Sequence, residues 1–253
     1  MILAIETATG MCSVALFSDG QVIGLLESDE HNAHSRILHV LIDRLFRESG
    51  TALSDLKAVA VSKGPGSYTG LRIGVSATKG FCYAKDIPLI AVNTLESMAY
   101  GMRAAILAGG ALQDTAAKAT GTSLNKSISP VSSKSDLFIP MIDAKRMEVY
   151  SAVFNPLGLT IRETEAEVIT AESYADLRKT NTLILAGDGA DKCRNLLTGD
   201  GIIYLDNFTA SARYMREPVM NAFNAQRFEN VAYFEPFYLK DFIAGKPRVK
   251  GLH

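Results

Sequence analysis

Hydrophobic and polar positions follow a strand-like pattern over the first 30 residues and a helical one after that. Three segments are apolar or alternating and rich in β-branched side chains: residues 1–7, 12–18 and 22–27. Thr9-Gly10 and Asp19-Gly20 separate them, which predicts three strands joined by tight turns. From Ser35 to Glu48 the apolar residues recur with a helical period, and Gly50 is expected to end that helix.

The pattern then predicts a strand, a glycine-rich turn, a long helix and another strand. The strands are expected at 58–62 and 89–92, with the helix ending at Lys85. Thr94 is expected to cap a further helix, with Ser97 behind it. The complete order of the first half is therefore βββαβαβ, followed by this helix.

Composition changes between Ala104 and Ser135, where alanine, glycine, serine and threonine dominate. This favours a linker or surface excursion. Beyond it the pattern predicts strands at 137–142, 148–154, 160–169 and 182–186, and helices at 171–179, 191–197 and near 210–228. We therefore expect an N-terminal domain (1–108), a flexible insertion or linker (109–135) and a C-terminal domain with a basic tail (136–253).

The glycine-rich segment 64–74 is the most informative part of the chain. Gly64, Pro65 and Gly66 predict a tight reversal, and Ser67 or Thr69 can cap the helix that follows. On that helix the polar residues Arg72, Ser76, Lys79 and Tyr83 share one stripe roughly 60° wide, and nearly all other positions are apolar or small. A helix on one sheet needs only about 100° of apolar face, so a second surface is expected to cover it.

Small residues on this helix indicate where the second surface lies. Gly70, Gly74, Ala77 and Phe81 fall within about 60° of one another, and small side chains let another helix approach closely. The helix at 35–48 is expected beside it, which predicts an interface of two helices from each partner. The predicted interface residues are Ile37, Leu41, Gly70, Leu71, Ile73, Gly74, Ala77, Thr78 and Phe81.

Composition and charge narrow the class of protein. The 253 residues carry a net charge of −1, and 47% are hydrophobic. No overall field therefore draws the chain to nucleic acid or membrane, and the isolated protein is expected to bind RNA weakly. The first six residues lack a signal peptide's basic region, and no apolar run reaches the ~20 residues of a membrane span. Three scattered cysteines indicate reduced thiols and a cytoplasmic protein.

The sequence contains only weak signals for a catalytic, nucleotide-binding or metal-binding site. The loop from Gly64 to Gly70 fits neither a Walker A loop nor a dinucleotide fingerprint, so a structural turn is favoured over nucleotide binding. The spacing of His31, His34 and His39 does not favour a metal site, and residues 74–78 only approach a serine-hydrolase elbow. Positions expected to form structural turns or weak phosphate contacts are Thr7, Thr9, Gly64, Gly66, Ser67, Gly187 and Gly189. The tail 245–250 is basic, which favours a solvated terminus over an RNA contact.

Several of these segments together resemble the TsaB (YeaZ) family. They are Ile5-Glu6-Thr7-Ala8-Thr9, the glycine-rich segment 64–74, residues 77–80, residues 142–150, residues 187–190 and Pro236-Phe237-Tyr238-Leu239-Lys240. The resemblance implies the duplicated actin-like ATPase fold (ASKHA, ribonuclease H-like), an α/β architecture of two domains with mixed sheets.

The resemblance also implies a non-catalytic role. TsaB-type proteins support the transferase TsaD, their paralogue, in placing a threonylcarbamoyl group on an adenosine beside the tRNA anticodon, with TsaE as the ATPase. Such proteins pair through the N-terminal domain, with themselves or with TsaD. ATP/ADP and metal would belong to the partners, and this chain would have no cofactor of its own. The alternatives are a stand-alone actin-fold ATPase or kinase, or an M22-type glycoprotease-like peptidase.

Overall fold

The fold consists of two five-stranded mixed sheets with the same strand order. The computed structural model describes residues 1–30, 33–108 and 135–240 (of Ser135 only the backbone). In the first sheet the strand order is Gln21–Ser28, Cys12–Ser18, Ile2–Glu6, Ala58–Gly64 and Leu89–Asn93, and in the second it is Ile202–Leu205, Asn181–Ala186, Ser135–Asp143, Glu148–Phe154 and Thr160–Val168. Numbering each half from its own first strand gives 3-2-1-4-5 in both. The chain therefore has the duplicated actin-like fold that the sequence predicts.

Within residues 1–30 and 33–108, the first half contains five strands and three α-helices. They are β1 (Ile2–Glu6), β2 (Cys12–Ser18), β3 (Gln21–Ser28), α1 (His34–Ser49), β4 (Ala58–Gly64), α2 (Tyr68–Lys85), β5 (Leu89–Asn93) and α3 (Thr94–Leu107). Strands β1 to β3 form an antiparallel meander, and β4 and β5 extend the sheet in parallel from β1. Gly50 ends α1 in the left-handed conformation, with φ of 64°.

The second half repeats this order with shorter helices. Its elements are β6 (Ser135–Asp143), β7 (Glu148–Phe154), β8 (Thr160–Val168), α4 (Ala175–Arg178), β9 (Asn181–Ala186), α5 (Asp188–Cys193), β10 (Ile202–Leu205) and α6 (Arg216–Asn224). Strand β10 is absent from the prediction. The helices expected at 171–179 and 191–197 are wrong in extent. The observed α4 covers only Ala175–Arg178, and α5 begins at Asp188, three residues before the expected start.

Helices exchanged between the halves join them. Leu95, Met98 and Met102 of α3 pack with Phe138 and Ile142 of the second sheet. In return, α6 and the 3₁₀ turn before it, Ala212–Met215, pack on the first sheet. Each half therefore completes the hydrophobic core of the other.

The start and end of α3 differ from the sequence expectation. Asn93, not Thr94, caps this helix, because its side-chain oxygen accepts bonds from the amides of Leu95 (2.8 Å) and Glu96 (3.3 Å). The helix continues to Leu107, so the first residues of the expected excursion are helical. The rest of the predicted linker, 109–134, and the basic tail from 241 lie outside the described residues.

Candidate partner interface and its supporting turn

The glycine-rich turn packs against the loop between β1 and β2. The Ser67 amide donates to the Ala8 carbonyl at 2.7 Å, and the Thr7 hydroxyl donates to the Gly70 carbonyl at 2.9 Å. Ser67 is the helix cap, accepting from the Gly70 amide at 3.3 Å. Two amides that a phosphate cradle would offer are thus engaged by the protein itself.

Glycine is required in this turn because the backbones approach so closely. A β-carbon at Gly66 would lie 2.3 Å from the Ala8 carbonyl oxygen, and one at Gly70 would lie 2.1 Å from the Thr7 carbonyl oxygen. Gly64 has φ of 113° and precedes a cis proline. The turn positions Thr7, Gly64, Gly66 and Ser67 therefore have a structural role that the contacts explain.

Glu6 is fully buried at the end of β1, directly under this turn. Its Oε1 accepts bonds from the Ala8 amide (2.7 Å) and from the hydroxyl of Ser62 (2.8 Å) on the neighbouring strand β4. Oε2 has no hydrogen-bond partner. Burial outweighs these bonds and raises the pKa of Glu6 to about 7.

The buried cysteines of this domain are poor nucleophiles. Burial, with a smaller effect of the Glu6 charge, raises the pKa of Cys12 to about 12. Burial likewise raises the pKa of Cys82 to about 11. A thiol with such a pKa is almost entirely protonated at neutral pH, so both residues act as core side chains.

Helix α2 presents a different face to its own sheet than the sequence suggests. Gly70, Leu71, Gly74 and Thr78 are buried, and a β-carbon at Gly74 would lie 2.3 Å from Thr7 Oγ1 and 3.4 Å from Val61. Leu41 on α1 is buried as well. The prediction that these five residues face a partner is therefore wrong: the small residues of α2 allow it to pack closely on its own sheet, and Leu41 packs in the hydrophobic core.

Part of the expected second surface belongs to the chain itself. Residues 229–240, which we call the C-terminal strap, run past α2: Lys79 Nζ donates to the carbonyls of Ala232 (3.0 Å) and Phe234 (3.1 Å). The Phe237 amide donates to the Lys63 carbonyl at 2.7 Å. The strap therefore covers one side of α2 and anchors on the glycine-rich turn.

The remaining side of α2 faces outward beside α1. The ring of Phe81 lies 6.2 Å from that of His39, which shows that the helices are neighbours. Ile37, Ile73, Ala77 and Phe81 are only partly buried at the edge of the core. Four of the predicted interface residues thus remain at the surface.

We call the exposed part of this region the outer helical face: Val40, Ile73, Ser76, Ala77 and Gly80. Val40 is 60% exposed. A β-carbon at Gly80 would meet no heavy atom within 4 Å, so open space lies beyond it. Val40, Ser76 and Gly80 are absent from the sequence prediction. The run of small residues on α2, assigned there to the wrong face, could have identified Ser76 and Gly80, but Val40 lies on α1.

In the second half, Gly187 and Gly189 occupy the position that corresponds to the glycine-rich turn. A β-carbon at Gly187 would lie 2.2 Å from the Met141 carbonyl oxygen, and one at Gly189 would lie 2.8 Å from Ile142 backbone. The Asp188 side chain accepts from the Asp143 amide at 2.9 Å. These glycines let α5 pack tightly against β6.

The two histidines within the described residues contact different groups. His34 Nε2 lies 3.0 Å from the carbonyl oxygen of Thr9, and His39 faces Phe81; His31 lies outside the described residues. Within residues 1–30, 33–108 and 135–240, no group of three or more histidine, cysteine or acidic residues could hold a metal ion. In the same ranges, no helix is long and apolar enough to cross a membrane.

Sequence comparison relates the chain to two kinds of protein. Residues 23–113 match the family model described as "TsaD: tRNA N6-adenosine threonylcarbamoyltransferase". The chain is 45% identical over 100 residues to the tRNA threonylcarbamoyladenosine biosynthesis protein TsaB of Escherichia coli K12, covering 40% of this chain and 43% of that protein. With TsaB of Bacillus subtilis it shares 38% over 98 residues, covering 39% and 43%. These matches span less than half of either relative.

Structure comparison covers nearly the whole chain. YeaZ from Pseudomonas aeruginosa aligns with a TM-score of 0.72 and 22% sequence identity, over 94% of this chain and 99% of that one. This likeness establishes the shared fold of both halves. The sequence matches add that about two fifths of this chain is similar to proteins named TsaB.

Proposed function

We propose that this protein is a non-catalytic subunit of the machinery that places a threonylcarbamoyl group on the adenosine beside the anticodon of tRNA, where it supports a TsaD-type transferase. One observation carries the proposal: the segment related to that transferase, residues 23–113, contains both α1 and α2, whose outer helical face is exposed. In this role the protein acts in the cytoplasm, and a TsaE-type ATPase completes the complex.

Pairing between paralogues explains why a transferase-like domain would act as a partner. A symmetric dimer brings the same patch of both subunits together, and two related domains can pair in nearly the same way. The outer helical face suits this geometry because Ser76, Ala77 and Gly80 are small and Val40 is apolar. The same face would serve a homodimer when the transferase is absent.

Features of the first domain support placing the catalytic step on the partner. Glu6 is enclosed under the glycine-rich turn, and the thiols of Cys12 and Cys82 are protonated at neutral pH. The turn's contacts with Thr7 and Ala8 support a structural role. We therefore assign ATP/ADP and metal to the partners.

Reconstitution tests this function. The TsaD-type protein of the same cell, the TsaE-type ATPase, threonylcarbamoyl-adenylate and unmodified tRNA are incubated with and without this chain, and modified adenosine is measured. We expect modification to depend on the chain and the chain alone to give none. Full modification without it, or sustained ATP hydrolysis or transfer by the metal-free chain alone, would contradict the proposal.

A further inference from the structure

The hairpin between β6 and β7 displays two basic side chains at its tip. Lys145 and Arg146 are consecutive left-handed residues, with φ of 67° and 55°. The Lys145 side chain is 87% exposed, and Arg146 and Met147 are exposed beside it. The two cations thus extend into solvent from a loop of four residues, 144–147.

The base of this hairpin is fixed by charged hydrogen bonds. Lys192 Nζ donates to Asp143 Oδ1 at 2.6 Å and to the Glu148 carbonyl at 2.7 Å. Asp143 Oδ1 also accepts the Lys145 amide at 2.9 Å. The tip is therefore presented by a rigid base and its ligand would not have to order it.

Local pairing leaves the tip positively charged. Asp143 is engaged by Lys192, and Glu148 pairs with Lys240 of the C-terminal strap. Lys145 Nζ comes no closer than 3.8 Å to Asp143 Oδ2, and the Lys145 side chain remains exposed to solvent. The tip is thus cationic in a chain whose net charge is −1.

Aromatic side chains continue this surface toward α2. Lys240 Nζ lies 5.9 Å from the Tyr150 ring centre. Two residues earlier along the chain, the ring centre of Tyr238 lies 4.9 Å from that of Tyr68. The Arg72 guanidinium lies 5.3 Å from the Tyr68 ring centre. We define the cation–aromatic band as Arg72, Tyr68, Tyr238, Lys240, Lys145 and Arg146.

We propose that the cation–aromatic band contacts tRNA in the assembled complex, with Lys145 and Arg146 on backbone phosphates and the ring of Tyr238, which is 39% exposed, beside an unpaired base. The inference rests on the proposed function. Cations contribute affinity through phosphates, and aromatic rings stack on bases of single-stranded RNA. An acidic protein surface would use the cations but not the rings, so RNA is the better match.

Asparagine substitution tests the tip without changing its backbone. Asparagine accepts the left-handed conformation, so the double variant Lys145→Asn/Arg146→Asn removes both charges and keeps the turn. The matched control is Lys57→Asn/Lys179→Asn, which removes two exposed charges before β4 and β9, at the opposite ends of the sheets. Both variants are assembled with the TsaD-type partner, and affinity for unmodified tRNA is measured over a range of salt concentrations.

We expect the tip variant to bind tRNA roughly tenfold more weakly at low salt and its salt slope to fall by about 1–2, with the control unchanged. Wild-type affinity and slope in the tip variant would overturn the inference. So would loss of the TsaD-type partner by this variant, because the tip would then contact protein. Failure of the unmodified chain to pair at all would instead contradict the proposed function, and with it this contact.

Discussion

A β-carbon placed on Gly74 would lie 2.3 Å from the hydroxyl oxygen of Thr7. That hydroxyl donates to the Gly70 carbonyl one turn earlier, so the loop after β1 and the start of α2 are in direct contact. This contact fixes which side of α2 faces inward. It also leaves Ser76 and Gly80 on the side that a partner can reach.

Replacing Gly74 tests the inward face. Gly74→Leu should lower the free energy of unfolding by about 1–3 kcal/mol or more, because the side chain must displace Thr7 and Val61. Gly80→Leu on the same helix is the control and should be neutral or stabilising, since leucine is a better helix former and its β-carbon would meet no atom within 4 Å. Urea unfolding of both variants measures the difference, and equal stabilities would show that the helix face is misassigned.

Glu6 should make stability depend on pH. Its pKa is raised from 4.5 to about 7 on folding, so the folded state retains a proton that the unfolded state has lost. The stabilisation is fully present below pH 4.5 and is lost as pH rises through about 7, by roughly 3 kcal/mol in all. Glu6→Gln, which is neutral at every pH, should flatten this slope between pH 5 and 8. A slope identical to that of the unmodified protein would contradict the buried, protonated carboxyl.

The contact of Lys79 with the C-terminal strap predicts a local effect. Lys79→Met removes both bonds to the strap carbonyls, at a cost of about 1–2 kcal/mol. Amide hydrogen exchange within residues 229–238 should therefore become faster. Lys85→Met, on the same helix, should leave these amides unchanged. Unchanged protection in the Lys79 variant would mean that the strap is anchored elsewhere.

Much of the first domain was predictable because its signals are local. Tight turns separate β1, β2 and β3, the period of α1 ends at a glycine, and Ser67 caps α2 as expected. The second half was harder, since β10 and α4 have only four residues each and a short run carries little periodicity. The strap has no period at all and is defined only by its tertiary contacts.

The face of α2 could not be predicted from the sequence alone. Small residues allow close approach of any neighbour, whether another protein or the chain's own sheet. Gly70 and Gly74 meet the loop after β1, whereas Gly80 meets open space. Hydropathy treats the three alike, and only the contact with Thr7 distinguishes them.

Affinity for the TsaD-type protein of the same cell tests the account most directly. The dissociation constant is measured by calorimetry for the unmodified chain, Gly80→Ala and Gly80→Leu. We predict that the unmodified chain and Gly80→Ala bind, and that Gly80→Leu does not, because leucine blocks the outer helical face. Both variants should be folded at least as stably as the unmodified chain. Undiminished binding by a stably folded Gly80→Leu variant would contradict pairing through this face.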